Sequence, residues 1–114
     1  MLHEMTLFQK PYASIAFGQK TIELRLYDEK RQSIQIGDQI RFTNAEDTSQ
    51  TTLCEVVHLH VFKNFAELYD NLPLLKCGYT QEDVDNAHPD DMLTYYSKEK
   101  QAQYGVVGIE LKRI

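Results

Sequence analysis

Apolar and polar residues alternate in several short stretches of the chain, and this pattern predicts five or six strands. The first strand covers residues 3–7, with Met5 and Leu7 facing inward. The longest covers residues 51–62, where Cys54, Val56, His58, His60 and Phe62 share one face. Other strands are predicted at 22–26, around Ile40 and Phe42, and at 104–111. A polar hairpin loop is expected at 44–50.

Helical spacing predicts a helix over residues 9–17, directly after the first strand. Its apolar face contains Phe8, Tyr12, Ile15 and Ala16. Pro11 is tolerated in a first turn. Gly18 follows the last apolar position and is expected to end the helix in a left-handed conformation.

Further helices are predicted in the second half of the chain. Asn64 precedes Glu67 by three residues, a capping spacing that begins a helix ending at Pro73. Thr80 begins a short helix. Pro89 opens the last predicted helix, whose one side carries Met92, Tyr95, Tyr96 and Glu99. Three or four helices therefore accompany the sheet, in a mixed α+β fold.

The densest group of charges inside an apolar pattern lies at residues 18–25, GQKTIELR. Strand alternation puts Thr21, Glu23 and Arg25 on one face. Lys20 has the parity of the core face. Because an unpaired ammonium is too costly to bury, its side chain must turn out at the strand entrance or meet a carboxylate.

These charges allow two interpretations. In one, Glu23 and Arg25 form an ordinary ion pair on a solvated face, with Lys20 beside them. In the other, they line an anion or nucleotide pocket. Arg25 then provides a planar fork, Lys20 a point charge or nucleophile, and Glu23 orients Lys20 or acts as a base.

The spacing Gly-x-Lys-x-x-Glu-x-Arg, filled by Gly18, Lys20, Glu23 and Arg25, resembles the signature of the ASCH domain, a small β-barrel related to the PUA RNA-binding domain. Similar segments occur at residues 26–31, 36–42, 95–97 and 104–109. The resemblance begins near residue 3 and continues to the C-terminus. It implies a single ASCH domain over residues 1–114, an α+β PUA-like barrel of five or six mostly antiparallel strands flanked by three or four helices.

The resemblance also implies further pocket residues. A similar Tyr-Ser pair precedes the closing strand in these proteins, which assigns Tyr96 and Ser97 to the pocket. Thr21 is expected to contact ligand beside Lys20, the tentative catalytic residue with Glu23. The polar segment with Lys30 and Arg31 is either a solvated connector or the pocket rim, where these cations contact phosphate.

Three functional hypotheses follow. The first is a module that binds RNA or a nucleotide or nucleoside, with Tyr96 stacking on a base. The second is a hydrolase acting on a modified nucleoside or on RNA, with Lys20 as nucleophile or base and Ser97 or backbone amides stabilising an oxyanion. Amidohydrolase-like members carry threonine at the position of Glu23, so the role of that threonine does not carry over. The third is a protein-interaction domain.

Composition limits these hypotheses. The net charge is −5, and residues 64–114 alone contribute −4, five Lys and Arg against nine Asp and Glu. Sequence-independent phosphate binding needs a basic face, so we expect a poor general RNA binder with at most a local basic site. The acidic residues between Glu82 and Asp91 form a solvated face, or Glu82 serves as a general base.

Other classes of site have weak support. His58 and His60 share a strand face, but no third metal ligand is near in sequence, so ordinary hydrogen-bonded histidines are favoured. No Gly-rich phosphate loop is present. We expect no cofactor, no metal, no membrane partner and no sequence-specific DNA binding. Cys54 and Cys77 form no Cys-x-x-Cys motif, and the absence of a leader pattern favours a cytoplasmic location.

Overall fold

The computed structural model describes all of residues 1–114 and contains one five-stranded sheet. The strands are β1 (Leu2–Leu7), β2 (Ile22–Leu26), β3 (Gln39–Asn44), β4 (Asp47–Phe62) and β5 (Val106–Arg113). Their order is β1-β3-β4-β5-β2, with β1 parallel to β3 and all other pairs antiparallel. The sheet curls into a half-barrel whose edges are β1 and β2. The predicted α+β class is confirmed, with five strands.

Helices fill the connections between strands. The α-helices are α1 (Gln9–Ala16), α2 (Glu29–Gln32), α3 (Phe65–Asn71) and α4 (Lys98–Tyr104), and 3₁₀ helices cover Leu74–Cys77, Val84–Asn86 and Pro89–Thr94. The side chain of Asn64 accepts a hydrogen bond from Glu67 N, as its spacing predicts. No helix is both long enough and apolar enough to cross a membrane.

Two apolar clusters cover the two faces of the sheet near β5. The first contains residues from β1, β3, β4, β5 and α1, among them Val107. The second contains Ile22, Leu24 and Val106 together with α3 and the segment that follows it. Because Val106 and Val107 point to opposite clusters, β5 is buried on both faces. Its neighbour β2 is likewise enclosed from both sides.

The first helix differs from its prediction at its start. Tyr12 and Ile15 are buried, but Phe8 is 68% exposed. Phe8 has an extended backbone and precedes the first helical turn, so it does not share the buried face. Gly18 follows the end of α1 and has a φ of 84°, which confirms the predicted left-handed conformation.

The predicted last helix is two helices. Pro89–Thr94 is a 3₁₀ helix, and α4 begins only at Lys98. Ser97 has an extended backbone between them, and its side chain accepts a hydrogen bond from Lys100 N. This N-cap begins a new helix and explains why the predicted helical face through Tyr95 and Glu99 does not form.

Strand β4 also departs from its pattern. It begins at Asp47, so the predicted loop at 44–50 shrinks to a tight turn, and Asn44 is fully buried. Asn44 Nδ2 donates to Gln9 Oε1 and, at 3.0 Å, to Gln50 Oε1, and Asn44 Oδ1 accepts from Glu46 N, which together satisfy its amide. A register shift between Val56 and His58 breaks the predicted alternation, so that His58 is exposed where the pattern placed it with Val56.

Candidate functional site

A cleft of about 1160 Å³ opens between the start of the chain and the segment joining α3 to α4. The lining comes mainly from the end of β1 with α1, from the entrance and middle of β2, and from the segment 74–96, with Ala45 and, from α3, Tyr69 completing it. Concave sites of this size commonly hold small ligands. Lys20, Glu23, Arg25 and Tyr96 all lie along it.

Lys20, Glu23 and Arg25 form one charged cluster in the cleft wall. Lys20 Nζ lies 2.7 Å from Glu23 Oε1. Arg25 Nε donates to Glu23 Oε2 at 2.9 Å, and Arg25 Nη2 lies 2.9 Å from the same oxygen. The side chain of Glu23 is only 4% exposed. The interpretation as a solvated surface pair is therefore wrong, because β2 is enclosed on both faces.

The cations determine the ionisation of this cluster. Burial acts to raise the pKa of Glu23, but the charges and hydrogen bonds of Lys20 and Arg25 outweigh it and lower that pKa. Burial likewise opposes the charge of Arg25, and the Glu23 carboxylate nevertheless raises the pKa of Arg25. With one carboxylate between two cations, the cluster has a formal charge of +1.

The backbone around Lys20 directs its side chain along the wall. Lys20 N donates to Ser14 O at the end of α1, and Thr21 N donates to Lys76 O. Gly78 has a φ of 111°, and a Cβ there would lie 3.3 Å from Lys20 Cδ. Glycine therefore lets the 74–78 segment approach and cover the aliphatic part of Lys20.

Arg25 also spans the open side of the half-barrel. Its Nη2 donates to Thr6 O at 3.5 Å, which joins edge strand β2 to edge strand β1. Tyr96 lies near Arg25 and stacks on Phe65, with ring centroids 5.9 Å apart and an interplanar angle of 19°. Burial raises the pKa of Tyr96, and Arg25 partly opposes that change.

Large aromatic side chains line the same cleft while remaining open to solvent. Phe8, Phe17 and Tyr95 are 68%, 80% and 65% exposed. Exposed apolar groups gathered around one cavity are typical of a binding surface. Helical spacing indicated neither Phe8 nor Phe17 as a site residue, because it placed Phe8 in the core. Phe17 lies directly before Gly18 and outside the apolar face of the helix, and this position was the one sign in the sequence that its ring is exposed.

A hydrogen-bonded chain of three residues, the tyrosine chain, lines another part of the cleft. Tyr69 Oη and Tyr79 Oη lie 2.7 Å apart, and Tyr79 Oη donates to Asp91 Oδ2 at 2.6 Å. Burial raises the pKa of both tyrosines, and the Tyr79 hydroxyl lowers the pKa of Asp91. Sequence spacing gave no indication of this contact, because a helix and a loop separate its members.

The remaining predicted site residues lie outside the cleft lining. Thr21 borders a smaller pocket of about 270 Å³, which Lys20 also lines. Lys30 Nζ donates to Glu4 O at 3.1 Å on the surface. The structure thus brings Lys20 together with Glu23, Arg25 and Tyr96 along the cleft. Thr21, Lys30, Arg31 and Ser97 do not line it, although the charge of Arg31 is near enough to act on the pKa of Tyr96.

Two of these separated residues have local structural contacts. Arg31 pairs with Asp28 at 3.2 Å, and Ser97 caps α4. The acid considered as a general base, Glu82, does not line the cleft either, although its neighbour Gln81 does. None of these residues is therefore part of the charged cluster.

Potential metal ligands are dispersed. No group of three His, Cys, Asp or Glu side chains is arranged to hold a metal ion. The rings of His58 and His60 lie 4.4 Å apart, and His60 Nε2 lies 2.8 Å from Glu110 Oε1. Cys54 and Cys77 are free and buried, and burial raises the pKa of each thiol to about 11.

Comparison with known proteins relates this fold to a family. The ASCH domain profile matches residues 5–114. The crystal structure of hypothetical protein PH0355 is 31% identical, covers 100% of both chains and has a TM-score of 0.80. The solution NMR structure of protein PF0455 from Pyrococcus furiosus is 30% identical over 100% of this chain and 98% of that chain, with a TM-score of 0.75.

A more distant structure shares the fold alone. The crystal structure of ASCH from Zymomonas mobilis is 10% identical, covers 97% of this chain and 66% of that chain, and has a TM-score of 0.67. No curated protein matches this sequence. Because the domain profile accounts for nearly the whole chain, the protein belongs to the ASCH domain family.

Proposed function

We propose that the cleft binds a single nucleotide, either free or exposed in single-stranded RNA. The observation that carries this proposal is the charged cluster, in which Lys20 and Arg25 supply two positive charges against the one carboxylate of Glu23. The excess positive charge favours an anionic group such as phosphate. Because the cluster is largely shielded from water, its interaction with an anion is screened less than at an open surface.

Arg25 is held ready for such an anion. Its Nε and Nη2 contact Glu23, and Nη2 also contacts Thr6 O, so the guanidinium plane is fixed before ligand arrives. The hydrogens of Nη1 remain to donate to a phosphate oxygen. Lys20 adds a second cation that Glu23 orients through the 2.7 Å contact. In this proposal Glu23 positions the two cations and does not act as a base.

The aromatic residues of the cleft suit a nucleobase. Phe8, Phe17 and Tyr95 present exposed rings, and stacking of a base on an aromatic side chain contributes about 1–3 kcal/mol. The Tyr96 ring packs against Tyr95 at a centroid distance of 6.3 Å and stacks on Phe65. A phosphate at the charged cluster and a base between these rings together describe one nucleotide.

The net negative charge of the chain limits how much of an RNA the protein can contact. With a net charge of −5, the protein offers no extended basic face for a long RNA. Thr21, Lys30, Arg31 and Ser97 lie outside the cleft lining and have no role in the proposed binding. We therefore expect one or two phosphate contacts, so that log Kd against log salt has a slope of magnitude about 1.

Hydrolysis is the second candidate function, and one observation favours it. Lys20 Nζ reaches the cleft beside a carboxylate that orients it, an arrangement compatible with a nucleophile or proton carrier acting on a modified nucleoside or an RNA linkage. Ser97 caps α4 away from the cleft, so an oxyanion would have to be stabilised by other donors. Product formation, and not binding, distinguishes this candidate.

Titration of a nucleoside, its 5′-monophosphate and a short single-stranded RNA tests the proposal. We expect the monophosphate to bind more tightly than the nucleoside, and the RNA to gain little beyond it. Lys20→Ala should remove most of the phosphate contribution, whereas Lys98→Ala, an exposed lysine outside the cleft, serves as the matched control. Equal affinity for nucleoside and monophosphate would contradict the phosphate site.

A further inference from the structure

The hydrogens of the tyrosine chain have only one consistent arrangement. An ionised carboxylate can only accept, so the single hydroxyl hydrogen of Tyr79 is donated to Asp91 over 2.6 Å. Tyr79 then has no hydrogen left for Tyr69. The 2.7 Å contact between the two hydroxyls must therefore run from Tyr69 to Tyr79. This direction leaves the Tyr69 oxygen with unused lone pairs and no free hydrogen.

We propose that the Tyr69 hydroxyl oxygen selects ligands that carry an exocyclic amino group, rather than a carbonyl, at one position on the edge of the base. This inference rests on the proposed function, since it assumes that a nucleobase enters the cleft that Tyr69 lines. A base with an amino group at the matching position donates to Tyr69. A base with a carbonyl at that position is disfavoured, because the lone pairs of the carbonyl oxygen face those of the Tyr69 oxygen.

The surroundings keep this acceptor in place. The Tyr69 ring packs edge-on against Phe65 and Tyr79, at centroid distances of 6.5 and 5.9 Å. Asp91 also accepts a hydrogen bond from His88 N at 3.2 Å, which holds its carboxylate at the start of the Pro89–Thr94 helix. The Tyr79 hydroxyl lowers the pKa of Asp91, so the carboxylate stays ionised near neutral pH and the direction of the chain is maintained.

Two pairs of nucleosides test the selection. Adenosine and inosine differ by an amino group against a carbonyl at the same ring position, and cytidine and uridine differ in the same way. We expect the wild type to bind the amino member of at least one pair about tenfold more tightly than the carbonyl member. A difference of this size corresponds to one hydrogen bond replaced by a repulsive contact. Similar affinities within both pairs would overturn the inference.

Two variants separate selection from structural support. Tyr69→Phe removes the acceptor, so the ratio of affinities between the amino and carbonyl members of each pair should fall to about one. Tyr79→Phe removes the partner that holds the Tyr69 hydrogen, so Tyr69 becomes able to donate and carbonyl members should gain affinity. If the two tyrosines have only a structural role, both variants should bind all four nucleosides more weakly and to the same extent. That result would contradict the proposal. Tyr104→Phe, outside the cleft, should leave the ratios unchanged.

Failure of this inference is distinguishable from failure of the proposed function. If nucleosides bind without amino preference, the nucleotide cleft stands and the selection by Tyr69 is wrong. If neither nucleosides nor their 5′-monophosphates bind, the proposed function is wrong and the inference falls with it. Thermal shift, measured with each nucleoside at saturating concentration, confirms that every variant is folded before affinities are compared.

Discussion

Lys20 Nζ lies 2.7 Å from Glu23 Oε1, although the two residues have opposite parity in the strand pattern. The contact forms because β2 begins only at Ile22, so strand alternation does not constrain Lys20. The backbone before β2 instead follows hydrogen bonds to Ser14 and Lys76. Lys20 meets a carboxylate, one of the two outcomes that the cost of burying an ammonium allowed.

Glu23→Gln should destabilise the protein strongly. The substitution leaves two shielded cations with no counter-charge, and breaking a buried ion pair on one side typically costs about 3–5 kcal/mol in the free energy of unfolding. Urea unfolding measures this loss. Glu110→Gln, whose side chain is 42% exposed and pairs with His60, is the control and should cost less than about 1 kcal/mol. Equal small losses would contradict the role of Glu23 as a buried counter-ion.

The same variant should respond more strongly to anions. Replacing Glu23 changes the formal charge of the cluster from +1 to +2, so inorganic phosphate should raise the Tm of Glu23→Gln more than that of the wild type. The Tm of each protein in phosphate and in chloride at matched ionic strength provides this comparison.

Arg25→Lys should weaken nucleotide binding although it preserves the charge. Lysine cannot contact Glu23 and Thr6 together while directing further donors at a phosphate, so we expect about a tenfold loss of affinity. Isothermal titration with a nucleoside monophosphate measures it. Arg41→Lys, which alters an exposed pair with Glu4, is the matched control. Unchanged affinity in Arg25→Lys would remove Arg25 from the site.

Gly78→Ala should reduce both stability and ligand affinity. Its φ of 111° is unfavourable for alanine by about 1–3 kcal/mol, and the new Cβ would press on Lys20 Cδ at 3.3 Å. Gly37→Ala is a matched control, because Gly37 has a φ of 95° but no atom within 4 Å of the added Cβ. Both variants should lose stability, and only Gly78→Ala should lose affinity. Equal affinities would show that Gly78 does not position Lys20.

Asp38 should confer an acid-dependent part of the stability. The hydrogen bond from His3, with those from Gln35 N and the N-terminus, lowers the pKa of Asp38 from 3.8 to about 2. A lowered folded-state pKa means that the contribution is complete above pH 3.8 and disappears as the pH falls through about 2. The difference in Tm between wild type and Asp38→Asn should therefore shrink over this interval. A constant difference would exclude the ionised Asp38 as its source.

Sequence patterns predicted the local features of the fold well. The inward positions of Met5 and Leu7 follow from strand alternation, and the cap formed by Asn64 follows from its spacing to Glu67. The left-handed Gly18 follows from the end of a helical face. Each of these features depends on residues close together in the chain, where period and capping chemistry act directly.

Features that depend on distant parts of the chain could not be predicted in the same way. The bulge near Val56 reverses a strand face where β4 pairs with β5, and the alternation of β4 alone does not indicate it. Glu23 is buried because β2 pairs with β5 and the 74–96 segment lies along the same cleft wall. Tyr69 and Tyr79 meet only after that segment has folded back. In each case the deciding contact comes from another element.

The most direct test of a nucleotide cleft compares wild type and Lys20→Ala across a panel of nucleosides, nucleoside monophosphates and short RNAs. Thermal shift reports binding, and chromatography of the mixtures reports any product. If the cleft binds nucleotides, monophosphates should stabilise the wild type, Lys20→Ala should lose most of that stabilisation, and the ligands should be recovered unchanged. Turnover by the wild type that disappears in Lys20→Ala would instead establish hydrolysis. No stabilisation by any member of the panel would contradict the nucleotide cleft.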